Sequence, residues 1–150
     1  MATKTIRFTL PGEAVPQQRP RFSTFGGHAR AYDPPKSRDY KTLVKLAASD
    51  AMGDIPPSLE SVTVGIFVYL PVPKSWGKRK TALALSGKLL PKTHGMDVDN
   101  LAKSVMDGMT GIVYKDDSQV ATLYVTKEYS EKPHVQVSCE WEQEEETKNV

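Results

Sequence analysis

An α+β fold is predicted, with a mixed sheet of about four strands and two principal helices on one face, in the order strand, helix, strand, helix, strand, strand. Three observations carry this expectation. Apolar residues alternate with polar ones at Ile6, Phe8 and Leu10, at Val62, Val64, Ile66, Val68 and Leu70, and at Val135, Val137, Cys139 and Trp141, the period of a strand with one buried face. They recur at helical spacing over residues 40–51 and 101–109. Pro11-Gly12, Gly53, Pro56-Pro57 and Gly111 punctuate these segments.

The first strand, with Arg7 and Thr9 on its polar side, stops at Pro11-Gly12. From there to Pro35 the chain reads as a long irregular loop, which carries Arg19, Arg21, His28 and Arg30 among Phe22, Phe25 and Tyr32. Ser37 is placed to cap a helix to about Met52, with Tyr40, Leu43, Val44, Ala47, Ala48 and Ala51 as its apolar stripe and Gly53 as its stop. The second strand ends at Pro71 and Pro73. Residues 74–94 combine a short helical pattern with Lys74, Lys78, Arg79, Lys80, Lys88 and Lys92. In the second principal helix Leu101, Ala102, Val105, Met106 and Met109 form the stripe, and Gly108 and Gly111 are the closing residues. Two strands finish the fold, the first from about Gln119 to Tyr129, with 130-SEKP-133 as a hairpin turn between them.

A chain of 150 residues with 25% charged and 39% hydrophobic residues has the size and composition of one globular domain, here assigned to residues 1–142. The acidic segment 143–150 reads as a frayed tail. One cysteine, Cys139, excludes an internal disulfide and a multi-cysteine metal site, and its strand position makes it a small core residue. The N-terminus has no apolar leader pattern and no stretch approaches the roughly 18 apolar residues of a membrane span, so a cytoplasmic protein is expected, with no membrane partner. Residues 140–150 hold five glutamates and one lysine, a net of −4, so the total of +2 leaves +6 on residues 1–139. That excess favours a polyanionic partner only where it is clustered.

Five aspartates fall within 97–117, in this otherwise basic body. Asp97 and Asp99 stand two apart at the start of a helix; Lys103 and Asp107 follow Asp99 at successive intervals of four, on one helical face. Asp116 and Asp117 come after the helix and a Gly-containing turn, which can return them beside the first pair. Three carboxylates meeting within about 4 Å would repel by up to roughly 4 kcal/mol per pair at an effective dielectric of 20, so a cation should offset them. All-oxygen ligands suit Mg²⁺ or Mn²⁺, one ion or two, which would acidify a bound water and stabilise charge on a phosphodiester while Lys103 meets the phosphate. The structural alternative makes Asp99 a helix cap, Lys103 and Asp107 a surface pair, and Asp116-Asp117 a turn. An EF-hand is excluded by Leu101, Ala102 and Gly108 at the positions that need a ligand, a glycine and a glutamate. A phosphatase D-x-D motif would follow a buried strand, whereas 91-PKTHGM-96 precedes Asp97 here.

RPRF at 19–22, PKSW at 73–76, DVDNLAKSVMDGMTG at 97–111 and KDDSQV at 115–120 together resemble the RusA family of Holliday junction resolvases, often of phage or prophage type. The resemblance implies a homodimeric, Mg²⁺-dependent endonuclease that nicks four-way DNA junctions in paired strands during recombination and repair, in a bacterial or phage-infected cytoplasm. Carried over by motif, Asp97, Asp99 and Asp117 are the metal-binding acids, with Asp116 the alternative member of its pair, and Lys103 is the essential lysine. Family sequences often have Lys-Pro before the first aspartate, where this chain has Gly95-Met96. Arg19, Arg21, Lys74, Lys78, Arg79, Lys80, Lys92 and His94 are the expected DNA contacts. Phe22, Phe25 and Tyr32 either stack on splayed bases or anchor their loop, and Trp76 reads as a packing anchor. The rival from another class is a branched-DNA binding protein whose metal site is only structural.

Overall fold

The computed structural model describes residues 1–144, apart from the side chain of Phe25; the rest of the expected acidic tail lies outside the described residues. The main sheet contains β1 (Ala2–Pro11), β4 (Val62–Pro71), β5 (Val120–Ser130) and β6 (His134–Gln143), in the spatial order β1-β6-β4-β5. Two further strands, β2 (Arg21–Phe25) and β3 (His28–Tyr32), form a separate hairpin, and the helices are α1 (Pro35–Met52), α2 (Lys78–Leu85) and α3 (Val98–Met109). The α+β expectation with a mixed four-stranded sheet holds. β6 runs antiparallel to both β1 and β4, whereas β4 and β5 are parallel. A parallel pair needs a crossover, and α2 and α3 supply it.

The alternating residues define the core. Val62, Val64, Ile66, Val68 and Leu70 of β4 and Val135, Val137, Cys139 and Trp141 of β6 are all buried, against Tyr40, Val44, Ala48 and Met52 of α1 and Leu101, Ala102, Val105 and Met109 of α3. Cys139 is fully buried, and burial pushes its thiol up to about 12, as expected of an inert core residue.

Four local expectations are corrected. The loop before Pro35 contains the β2–β3 hairpin, whose two-residue turn is Gly26-Gly27 with φ of 67° and 80°, a left-handed pair that glycine adopts without strain. Ser37 lies inside α1, which starts at Pro35 after the N-cap Pro34; its buried hydroxyl instead accepts from the backbone N–H of Gln18 at 3.0 Å. Residues 131–133 do not close a hairpin, because β4 lies between β5 and β6 and the link passes over its end.

Gly108 does not end α3. A Cβ there would stand 2.5 Å from Val44 Cβ and 3.1 Å from the Lys41 carbonyl oxygen, so this glycine lets α1 and α3 touch backbone to side chain. Gly108→Ala should lower unfolding free energy by about 1–3 kcal/mol through overpacking, despite alanine's helix preference of about 1 kcal/mol. Urea denaturation measures it, and unchanged or raised stability would mean that the helices part freely.

Candidate active site

α3 presents its first turn to solvent. Asp97 occupies the N-cap position with extended backbone (φ −72°, ψ 138°), and its carboxylate makes no capping hydrogen bond. Asp99 lies inside the first turn, so the structural alternative of a cap at Asp99 does not hold: a side chain at that position follows the cap rather than forming it. Both carboxylates are exposed at the positive end of the helix dipole, which favours negative charge. Lys127 of β5 fixes the approach to this end, donating from Nζ to the Met96 carbonyl at 3.0 Å.

The second acid pair follows Tyr114, a fully buried residue whose hydroxyl donates to the Met106 carbonyl at 2.8 Å and so ties the returning chain to α3. Burial first, with smaller contributions from Cys139, Asp117 and Asp107, holds the Tyr114 phenol above its ordinary range. Asp116 then caps a short 3₁₀ turn (Asp117–Gln119), accepting from the Ser118 amide at 3.2 Å. That amide and the Asp117 carboxyl hold Asp116 below the usual carboxylate range, while Asp116 is the main cause that raises Asp117. Asp107 raises Asp117 further and Lys103 lowers it. Asp107, Asp116, Asp117 and Lys103 therefore share one electrostatic neighbourhood.

The all-oxygen, solvent-facing donor set fits a hard divalent cation that keeps several waters. Among the described residues, however, no three His, Cys, Asp or Glu side chains form a tight metal-holding group. The arrangement is open, with Asp97 and Asp99 at the mouth of α3 and Asp116 and Asp117 adjacent on the acid loop.

The surface pair of Lys103 with Asp107 that the structural alternative required does not form. Asp107 Oδ2 lies 3.3 Å from Lys41 Nζ, which also bonds Asp33 at 2.8 Å, and these are the two ion pairs among the described residues. Lys103 is exposed and lines a groove of about 260 Å³ with Gln17, Tyr32, Asp33, Lys41 and Asp107.

Two basic segments meet the α3 entry. At the base of the hairpin, the Gln17 amide donates to the Asn100 carbonyl at 2.9 Å, which brings exposed Arg19 and Arg21 towards that turn. Cross-strand register puts Arg21, Ser23, Arg30 and Tyr32 on one hairpin face and Phe22, Thr24, Ala29 and Ala31 on the other. Phe22 is 74% exposed, so it does not anchor the loop. On the other segment, Lys74 shares a groove with Thr93 and Met96, and Lys92 and His94 are exposed in the entry loop. Lys78, Arg79 and Lys80 open α2, three cations at the end of a helix where the dipole disfavours them. Lys80 Nζ sits 4.1 Å from the centroid of Trp76, which in turn packs edge-on to Tyr129 with centroids 5.3 Å apart; Trp76 is the packing anchor expected.

Gln119 was not singled out by itself, yet it holds the acid loop. Its Oε1 accepts from the amides of Lys115 (2.9 Å) and Asp116 (3.1 Å), and its Nε2 donates to the carbonyls of Ser58 (2.7 Å) and Glu60 (3.0 Å). The side-chain amide is thereby fully used. Its position three residues after Asp116 in a capping box was the available signal.

Residues 11–140 match the family described as Endodeoxyribonuclease RusA. The chain is also similar to the uncharacterized protein YqaN of Bacillus subtilis (strain 168), 43% identical over 136 residues that cover 88% of this chain and 93% of that one. The family match includes both acid pairs and every basic residue expected to contact DNA.

Replacing Gln119 by alanine should cost about 1–3 kcal/mol, because the part-buried Ser58 carbonyl loses its donor while the loop amides turn to water. Hydrogen exchange at Lys115 and Asp116 should accelerate at the same time. Unchanged exchange at both amides would show that the loop holds itself without Gln119.

Proposed function

Since this chain belongs to the RusA endodeoxyribonuclease family, we propose that it is a Mg²⁺-dependent, structure-specific endodeoxyribonuclease that resolves four-way DNA junctions by paired nicks. It acts as a homodimer, since two symmetric cuts need two sites related by a two-fold axis. Its place is recombination and repair in the cytoplasm of a bacterial or phage-infected cell, and Mn²⁺ is the expected substitute ion. The observation that carries the reading is the family match across the span holding two exposed carboxylate pairs and, four residues after Asp99, an exposed lysine.

Asp97, Asp99 and Asp117 would hold the cation, with Asp116 the adjacent alternative. When bound, that ion supplies an acidified water and charge stabilisation at the phosphodiester. The protein's own part begins with Lys103, whose ammonium carries no short ion pair among the described residues and is available to a phosphate oxygen as negative charge develops on it. Arg19, Arg21, Lys74, Lys78, Arg79, Lys92 and His94 would neutralise backbone phosphates and fix the duplex arms. Lys80 contributes the same charge from above the Trp76 ring. Arg30 joins this set through its shared face with Arg21. The open spacing of the carboxylates keeps a second reading in play, a branched-DNA binding protein with a structural ion. Cleavage of a labelled synthetic junction in Mg²⁺, resolved on a denaturing gel, separates the two.

Asp99→Asn should abolish cleavage while junction binding stays equal or tightens, because the amide is a weaker metal ligand and repels phosphate less. Near-wild-type cleavage would remove Asp99 from the metal site.

Lys103→Ala should slow single-turnover cleavage of a saturated Mg²⁺ junction complex on the order of a hundredfold or more, with thermal stability unchanged. Lys103→Arg should rescue poorly, since a planar fork does not replace a compact charge. A rate within about threefold of wild type, against that hundredfold expectation, would withdraw Lys103 from the site.

A further inference from the structure

Lys41 makes both ion pairs found among the described residues, and each reaches a different element. Asp33 directly follows β3, Asp107 lies in α3, and Lys41 is in α1. The lysine side chain is only 19% exposed. Asp33 is held from its other oxygen by Gln17 Nε2 at 3.1 Å, and the Gln17 amide is bonded to Asn100 in the first turn of α3. The backbone behind Lys41 is equally constrained, because its carbonyl oxygen would meet a Cβ on Gly108 at 3.1 Å. This is a built junction of three elements, not a loose surface pair.

The consequence for chemistry follows from spacing along α3. Lys103 and Asp107 are four residues apart, the separation at which opposite charges on a helix pair readily. Asp107 is instead occupied by Lys41, a cation delivered from another helix. Asp107 also lies close enough to Asp117 to raise it, so its unneutralised charge would add to the carboxylates that a phosphate must approach. We propose that Lys41 is a positioning residue of the nuclease site: by occupying Asp107 it leaves the Lys103 ammonium free for phosphate, and by holding Asp33 it secures the basic hairpin at the α3 entry. This rests on the assignment of Lys103 made above.

Asp33 is consistent with a persistent latch. Burial acts to raise its pKa, but hydrogen bonds from Lys41 and Gln17 outweigh burial and leave it below the usual carboxylate range. A depressed carboxylate contributes its stability above its unfolded value of about 3.9 and loses it only as pH falls through the lower folded value, so the latch is complete at neutral pH.

The test is a charge-compensation cycle on the full chain. Lys41→Met should slow single-turnover junction cleavage about tenfold or more, as Asp107 turns to Lys103. Asp107→Asn alone should stay within about threefold of wild type, and adding it to Lys41→Met should restore the rate to that level. Lys41→Arg should retain the rate, and Lys41→Met with Asp33→Asn should not recover it. In metal-free protein without DNA, acetic anhydride labelling of Lys103, read by mass spectrometry, should slow in Lys41→Met and recover in the double variant with Asp107→Asn. A purely structural Lys41 predicts no such rescue. A wild-type rate and wild-type labelling in Lys41→Met would overturn the proposal, as would a double variant as slow as the single one. If Lys41→Met fails to fold, Lys41→Gln takes its place in the same cycle. Should the wild type cut no junction in Mg²⁺, the nuclease reading falls, whereas the labelling comparison still decides whether Lys41 keeps Lys103 free.

Discussion

Gly108 against Val44 is the contact on which the site geometry depends. With no side chain at that point, α3 closes on α1, and the same approach brings Lys41 within ion-pair distance of the residue preceding the glycine. Near the start of α1, Ser37 and Lys41 then support the hairpin, and the inner face of α3 carries Leu101, Val105 and Met109 into the sheet. One missing methyl thus links a packing decision to an electrostatic one. Interiors packed to crystal-like density transmit such a constraint because neither helix can relax alone.

The parts of the fold readable from sequence were those written in a local period. β1, β4 and β6 each bury alternate residues, and the stripes of α1 and α3 face the core as their spacing predicts. The failures share a different cause. Strand order is a long-range property, so the short link 131–133 after β5 suggests a hairpin although β4 separates the two strands. The β2–β3 hairpin escaped because its residues are exposed on both faces and show no apolar alternation; only Gly26-Gly27 marked it. Gly108 reads as a stop because a glycine near a helix end usually is one, and its real reason lies in Val44, a residue on another helix.

The candidate site divides in the same way. Asp97, Asp99, Lys103, Asp116 and Asp117 were visible because their spacing and motif lie within 21 consecutive residues. Gln119, Lys127 and Lys41 act on partners distant in the chain: Ser58, Met96, and both Asp33 and Asp107. No local pattern encodes those partners. Lys127 did leave a trace, as the one charged residue between Val125 and Tyr129 on the inward side of a strand.

Helix dipoles separate residues whose placement folding explains from residues whose placement it does not. Asp97 and Asp99 stand where the start of α3 is electropositive, so helix stability alone accounts for acids there, and their position is weak testimony to chemistry. Lys78, Arg79 and Lys80 stand at the equivalent end of α2, where three cations oppose the dipole by a few tenths of a kcal/mol each. Asp116 serves its exposed turn as a cap, but Asp117 sets a second carboxyl group beside it, a repulsion that the cap does not require. Local stability disfavours both arrangements, and a ligand of opposite charge would offset each, in the function proposed above a polyanion at α2 and a cation at the acid loop. A DNA backbone accompanied by a divalent ion supplies the two together, which is why the unfavourable charges carry more of the functional inference than the favourable ones.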